Sequence, residues 1–362
     1  MKTEERKYGL SRTAALLDAL GNPDEKLKII HIAGTNGKGS TAAFISSVLK
    51  EAGKKVGTFT SPQVYTFEEQ VAVNGVPLKP EILKGYMQEV DRTASGIADT
   101  PTPFERLTAA ALLAFERAGC EYAVVECGLG GKDDATNAIA KKEVAVITSV
   151  SLEHTKELGS TIEQICAAKS GIIKDCPVVV NALQSKEAIR FFKKLNAVFA
   201  GEGLEITSRT PYGQSFEYNG ETYTTVMLGD AQCYNAATAI EVCSLLHIPA
   251  PIIKSGVAKC YLAGRIQLIR KGKKVYILDG AHNPAAFAPL IDVIMHFDCK
   301  KSLVFGCLSD KDVQTIADTL SMDFVSAVIF PPDIPSAMDI EKIRAALDGK
   351  MLVKTAASVT EA

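Results

Sequence analysis

Gly34-Thr-Asn-Gly-Lys-Gly-Ser-Thr41 follows an apolar run at residues 28–33 and opens a helical one at residues 40–50. A glycine-rich turn between a strand and a helix can bind phosphate. The glycines let successive N–H groups point inward, the helix N-terminus adds partial positive charge, and Lys38 can reach the terminal phosphates. Ser40 can place its hydroxyl on Mg²⁺. The strict GxxxxGK[ST] spacing fails twice, because only two residues separate Gly34 from Gly37 and because Gly39 stands between Lys38 and Ser40. The alternative, a plain connecting turn, leaves the placement of Gly, Lys, Ser and Thr unexplained.

Further along, Glu126 lies near the end of an apolar run at 122–127 and His154 follows another at 144–150. A carboxylate at the carboxyl end of a parallel strand lies where open α/β sheets bind ligands, and it suits Mg²⁺. Burying it without a cation or donors would be costly. A lone His is by default a surface or core residue, and Lys169 reads from its own segment as a solvated helix lysine. Gln232 and Asn235 carry amides that can read a base edge or cap a helix. Asp279 and His282 follow an apolar run at 275–278.

The elements that must position these residues alternate between short Ile- and Val-rich runs and helical stretches, which predicts an α/β fold with a mainly parallel sheet. Ser160-Thr-Ile-Glu163 reads as a capping box for a helix ending near Ser170-Gly171, and a hairpin is predicted to turn at Asn219-Gly220. At roughly 150 residues per domain, 362 residues point to two domains. The basic, glycine-containing stretch near Arg265 predicts a division into domain 1–265, linker 266–274 and a smaller Rossmann-like α/β domain 275–362. That second domain has predicted strands at 302–305 and 324–329, helices at 286–295 and 313–320, and a polar tail after Val353 without a closing strand.

Composition narrows the function classes. With 47% hydrophobic and 23% charged residues the chain is globular. A formal net charge of -2 removes the broad basic surface of non-specific nucleic-acid binders, so an anionic ligand must be held locally. Nine scattered cysteines without a CxxC pair suggest reduced thiols, and the charged N-terminus is no signal peptide. The expectation is a cytoplasmic protein with neither nucleic acid nor membrane as partner.

Several segments together carry a family resemblance. IIHIAGTNGKGST, preceded by GLSRTAALLDALGNP, resembles the opening of the folylpolyglutamate synthase and dihydrofolate synthase family of the Mur ligase superfamily, whose mark is the extra glycine at Gly39. TSPQVYTFEEQVAVNG resembles the family's Ser-Pro-His element and Phe-Asn-Glu-Arg loop beside the pterin, with Gln63 for the usual His and Gln70 for the usual Arg. Thr102-Pro-Phe-Glu-Arg-Leu-Thr108 resembles a Thr-x-Phe-Glu element, although Glu105 is equally readable as an N-terminal helix carboxylate. VVECGLGGKDDATN, VITSVSLEHTKELGSTIEQICAAKSGIIK, LGDAQCYNAATAIEVC, Gly264-Arg265, LDGAHNP and FGCLSDKD are similar to later family segments.

The resemblance implies an α/β fold with an N-terminal P-loop-type ATPase domain, and ligation of L-glutamate to a folate or dihydropteroate carboxylate at the expense of ATP. It implies that Gly34, Thr35, Asn36, Gly37, Lys38, Gly39, Ser40 and Thr41 hold phosphate, that Gln232 and Asn235 surround adenine, and that Arg265, Asp279 and His282 approach the nucleotide or glutamate. It further implies two Mg²⁺ sites, one at Ser40 and Glu126 and one near His154 and a carbamylated Lys169, and it leaves room for a monovalent cation. Lys38, His154, Lys169 and Arg265 form the implied catalytic set. The chain is expected to act as a monomer, with a second domain short for the family. A Mur-type ligase of another carboxylate and an inactive nucleotide-binding homologue are the alternatives.

Overall fold

The computed structural model describes residues 9–272, 274–281, 284–320 and 324–362. The chain divides into two compact units, Met1–Ala263 and Gly264–Ala362. In the first, β1 (Lys28–Ala33), β2 (Val56–Phe59), β3 (Val71–Val73), β4 (Val76–Pro77), β5 (Tyr122–Glu126), β6 (Val144–Ile147), β7 (Val178–Asn181) and β8 (Val198–Ala200) form one eight-stranded sheet in the order β4-β3-β2-β5-β1-β6-β7-β8. The β2-β5-β1-β6-β7-β8 pairings are parallel, and only β3 and β4 are added antiparallel. A three-stranded antiparallel sheet, β9 (Glu205–Thr210), β10 (Gly213–Tyr218) and β11 (Glu221–Thr225), turns at Asn219-Gly220 as the sequence predicts.

The helices of this unit are α1 (Ser11–Ala19), α2 (Lys38–Glu51), α3 (Pro80–Ala94), α4 (Pro103–Arg117), α5 (Thr155–Leu158), α6 (Ile162–Ser170), α7 (Lys186–Phe192), α8 (Asp230–Leu245) and α9 (Ala250–Lys259). Continuous apolar strands such as β5 (YAVVE) and β6 (VAVI) are buried along their whole length because both sheet faces are covered. Side chains alternate between faces. Ile30, Ile32, Val124 and Val146 pack with Phe44 and Val48 of α2 and with residues of α8 and α9. Ile29 and Val125 face α1, α3 and α4, whereas Ala145 and Ile147 face α6 and α7.

At the N-terminus of α4, Glu105 is a helix-capping carboxylate. Glu105 Oε2 accepts the Thr102 N–H at 2.6 Å and its own N–H donates to Thr102 Oγ1 at 3.3 Å, a capping box. The same carboxylate receives the Arg12 guanidinium at 2.8 to 3.1 Å, with both side chains buried. Arg12→Met leaves that carboxylate buried without its cation, and the expected loss is about 3–5 kcal/mol in urea unfolding. A loss under about 1 kcal/mol, the range of a surface pair, would show that the ion pair does not lock α1 onto α4. The helix at 162–170 is also capped one residue later than expected: Thr161 and Gln164, not Ser160 and Glu163, exchange the two bonds.

The second unit holds α10 (Pro284–Ile294), α11 (Val313–Leu320) and α12 (Ile340–Leu347) with a parallel sheet of β14 (Ser302–Phe305), β15 (Ser326–Ile329) and β16 (Leu352–Thr355). Phe287, Phe305, Ile316, Leu320, Ile329 and Ile343 form its core. Two features differ from the sequence reading. The stretch read as a linker contains β12 (Gln267–Lys271), paired antiparallel with β13 (Lys274–Leu278), and the tail does close the sheet, through β16. Among the described residues no helix is long and apolar enough to cross a membrane.

Candidate active site

Strand order brings the candidate residues of the first unit together. Because β5 and β6 flank β1 in parallel, the Gly34 loop, Glu126 and the 148–154 segment all leave the sheet at the same carboxyl edge. Gly34 has φ +154°, and a Cβ there would stand 1.8 Å from Thr148 Oγ1. Gly37 has φ +88°, and its Cβ would meet Asn235 Oδ1 at 2.5 Å. Only glycine lets the loop run this close to both walls.

The loop is built against the 148–151 segment. Thr35 and Asn36 donate their N–H groups to the Ser149 carbonyl at 2.8 and 3.3 Å. Ser149 Oγ donates to the Asn36 carbonyl at 3.2 Å, and Thr35 Oγ1 accepts the Ser151 N–H at 3.1 Å. Thr148, Ser149 and Ser151 were not singled out from the sequence; the hydroxyl-rich TSVS after a strand is the only signal they leave.

Lys38 begins α2. Its Nζ donates to the Thr35 carbonyl at 3.2 Å and lies 3.8 Å from Glu126 Oε1. Glu126 is buried, with Oε2 3.4 Å from where a Cβ on Gly39 would be, so its carboxylate reaches over the first turn of α2. Ser40 and Thr41 are buried in the same turn. These residues fit a phosphate and its cation: a glycine-lined turn, a helix N-terminus, an amine and a hard carboxylate. Among the described residues no group of three or more His, Cys, Asp and Glu could hold a metal. A cation held by Ser40 and Glu126 would need phosphate oxygens or water to complete its ligands.

Lys169 is not the solvated helix lysine that its segment suggests. It is 4% exposed at the end of α6, and its Nζ donates to the Gly34 carbonyl at 2.6 Å. Burial, and then the charge of Lys38, push its amine down to about 7. His154 holds φ +50° at the start of α5 and is half-buried, three residues beyond Ser151.

Asn235 and Gln232, on the first turns of α8, are tied to each other at 3.1 Å. Thr41 Oγ1 and Asn181 Nδ2 approach Asn235 Oδ1 at 3.5 and 3.4 Å, so this amide borders the phosphate loop. Behind Glu126, Asp134 folds the glycine run by accepting the Leu129 N–H at 2.8 Å and the Thr136 N–H and hydroxyl at 3.0 and 2.5 Å. With its own proton committed to Asp134, Thr136 Oγ1 accepts from His31 Nε2 at 2.8 Å.

Gln70 faces inward, is buried, and donates to the Phe67 carbonyl at 3.4 Å, whereas Gln63 is exposed. The loop between them is shaped by Glu69, which accepts the N–H groups of Val64, Tyr65 and Thr66 at 2.9 to 3.2 Å. In the second unit, Asp279 accepts the Ile266 and Ala281 N–H groups at 2.7 and 2.8 Å, and Arg265 Nη1 donates to the Gly264 carbonyl at 3.0 Å. His282 lies outside the described residues.

A family model of the Mur ligase middle domain matches residues 32–243, and one of the Mur ligase glutamate ligase domain matches 264–362. Dihydrofolate synthase/folylpolyglutamate synthase of Bacillus subtilis (strain 168) is 36% identical over 349 residues, which are 87% of this chain and 79% of that protein. The chain belongs to the folylpolyglutamate synthase and dihydrofolate synthase family of Mur ligases. Among solved structures, Mycobacterium tuberculosis folylpolyglutamate synthase complexed with ADP and AMPPCP matches this synthase-family fold with a TM-score of 0.88 at 30% identity, over 96% of this chain and 86% of the other. A bifunctional folylpolyglutamate synthase/dihydrofolate synthase with Mn, AMPPNP and L-glutamate bound matches with a TM-score of 0.85 at 27% identity, over 99% and 88%.

Proposed function

We propose that this synthase-family chain joins L-glutamate to a folate or dihydropteroate carboxylate, coupled to cleavage of ATP to ADP and phosphate. The convergence of Lys38, Glu126 and Lys169 on one glycine loop carries the reading. The names of the relatives and the nucleotide, metal and glutamate in the neighbouring structures support it.

An acceptor carboxylate oxygen attacks the γ-phosphorus and ADP departs, leaving an acyl phosphate. The glutamate amine then attacks the acyl carbon, and collapse of the tetrahedral adduct expels phosphate. Lys38 and the N-terminus of α2 hold and orient the phosphates, so charge that develops on the transferred group meets fixed donors. When bound, divalent cations at Ser40 and Glu126 and near His154 and Lys169 supply further neutralisation of that charge. Lys169, with its amine near neutrality and its neighbour Lys38 cationic, has the free lone pair that attack on CO₂ requires, which supports carbamylation. Gln232 and Asn235 are assigned to the adenine side, and Arg265, Asp279 and His282 to the phosphates and incoming glutamate. The reading includes a monomer in the cytoplasm, room for a monovalent cation, and no nucleic-acid or membrane partner.

A second reading, a Mur-type ligase of another carboxylate, draws on Gln63 and Gln70, which put no cation at the positions where the family usually has His and Arg. Glutamate-dependent phosphate release with dihydropteroate, tetrahydrofolate and unrelated carboxylates separates the two. Release with a pterin acceptor is the expected result. Release only with non-pterin acceptors selects the second reading, and none with any acceptor leaves a nucleotide-binding homologue.

A further inference from the structure

β6 stops at Ile147 and β7 at Asn181, so backbone pairing between them ends there. Beyond it the side chain of Gln184 takes over. Its Oε1 accepts the Val150 N–H at 2.9 Å and its Nε2 donates to the Thr148 carbonyl at 2.9 Å. One carboxamide thus offers residues 148 and 150 the acceptor and donor that a neighbouring strand residue would offer. Gln184 is itself held by its N–H to the Ala182 carbonyl at 2.8 Å.

The opposite edge of the same segment is the wall of the phosphate loop. Thr148 donates its N–H to Ala33 at 2.8 Å and closes over Gly34, while Ser149 and Ser151 bind Thr35 and Asn36. Residues 148–151 are therefore a rail with the loop on one side and Gln184 on the other. We infer that Gln184 is a positioning residue for nucleotide binding, acting through Thr148 and Val150 on the geometry of Gly34–Asn36. The inference rests on the phosphate-loop reading above. Gln184 is half-buried, but Thr148 and Val150 are buried, so an apolar side chain in its place leaves their backbone N–H and carbonyl without a partner. The cost then falls on folding as well as on loop geometry.

The test uses the full chain, with ADP as the probe in calorimetric titration and ATP and glutamate kinetics beside it. Gln184→Met keeps the length and loses both hydrogen bonds. ADP is expected to bind about tenfold more weakly and KM for ATP to rise, while KM for glutamate stays close to wild type and the melting temperature without ligand falls modestly. Gln184→Glu adds a readout that a purely structural role would not move. Near pH 8 its carboxylate opposes the Thr148 carbonyl and ADP binds weakly. As the pH falls toward 5.5 a growing fraction of that carboxyl, its protonation favoured by the facing carbonyl, again donates and accepts, so affinity recovers in part relative to wild type at the same pH.

Wild-type-like ADP affinity in Gln184→Met, or a Gln184→Glu to wild-type ratio that is the same at both pH values, overturns the inference alone. Should Gln184→Met not fold, the Gln184→Glu ratio decides. No ADP binding by the wild-type chain removes the phosphate-loop reading and the inference with it.

Discussion

Lys38→Ala is expected to lower kcat/KM for glutamate-dependent phosphate release by roughly a thousandfold, the size of effect that follows removal of a fixed donor to developing charge. The side chain leaves the first turn of α2 with its Nζ held between the Thr35 carbonyl and Glu126. The amine is thus already at the loop before phosphate arrives. The Lys169 amine does not replace it, because it is directed into the Gly34 carbonyl at 2.6 Å. Lys38→Arg is expected to recover little, because a planar fork cannot adopt the compact geometry of an ammonium in a half-buried turn. Phosphate release by Lys38→Ala within a few-fold of wild type would remove Lys38 from the reaction.

Gly34→Ala is expected to abolish ADP binding in a chain that still folds around its sheet. The new Cβ would lie 1.8 Å from Thr148 Oγ1 and 2.9 Å from Thr148 Cβ, at a backbone φ of +154° that side chains rarely adopt. Neither neighbour can yield easily: Thr148 is fully buried, and its N–H is tied to Ala33. The loop must move, and the alignment of its N–H groups goes with it. Adding Thr148→Ala removes the nearer clash and leaves the farther one, so the double variant should regain part of the affinity. ADP titration of the single and double variants measures both effects. If Gly34→Ala binds ADP as wild type does, the loop is not the phosphate site.

What could be read from the chain without its structure depended on whether local chemistry sufficed. β1 and β5 were legible because unbroken Ile and Val runs are stable only where both faces of a strand are covered. The loop after β1 was legible because glycine, lysine and serine act there within a few bonds of each other. Asn219-Gly220 announced its hairpin because both residues accept the positive φ of the turn. By contrast, Ser160 and Thr161 offer nearly the same capping pattern, and only the path of the backbone chooses Thr161. The Gln267–Lys271 strand looked like a linker because its residues are basic and exposed, and its pairing partner is simply the segment that follows. The burial of Lys169 was readable only through the family resemblance: nothing in AAKSG shows that Gly34, 135 residues earlier, will receive its amine. Gln184 is the extreme case. A single glutamine in a polar connection carries no local sign that both ends of its amide are in use.

On the proposed phosphate and cation sites, the 3.8 Å approach of Lys38 to Glu126 would make the site an ion exchanger. In the ligand-free chain these opposite charges partly neutralise each other. A nucleotide phosphate draws Lys38 toward itself and leaves the carboxylate needing a counter-charge, and a divalent cation at Glu126 in turn leaves the amine needing an anion. Each ligand therefore removes the competitor of the other, so nucleotide should raise the affinity for metal by the same factor as metal raises that for nucleotide. By that reciprocity such a site would discriminate against either partner alone and admit the two as one neutralised unit.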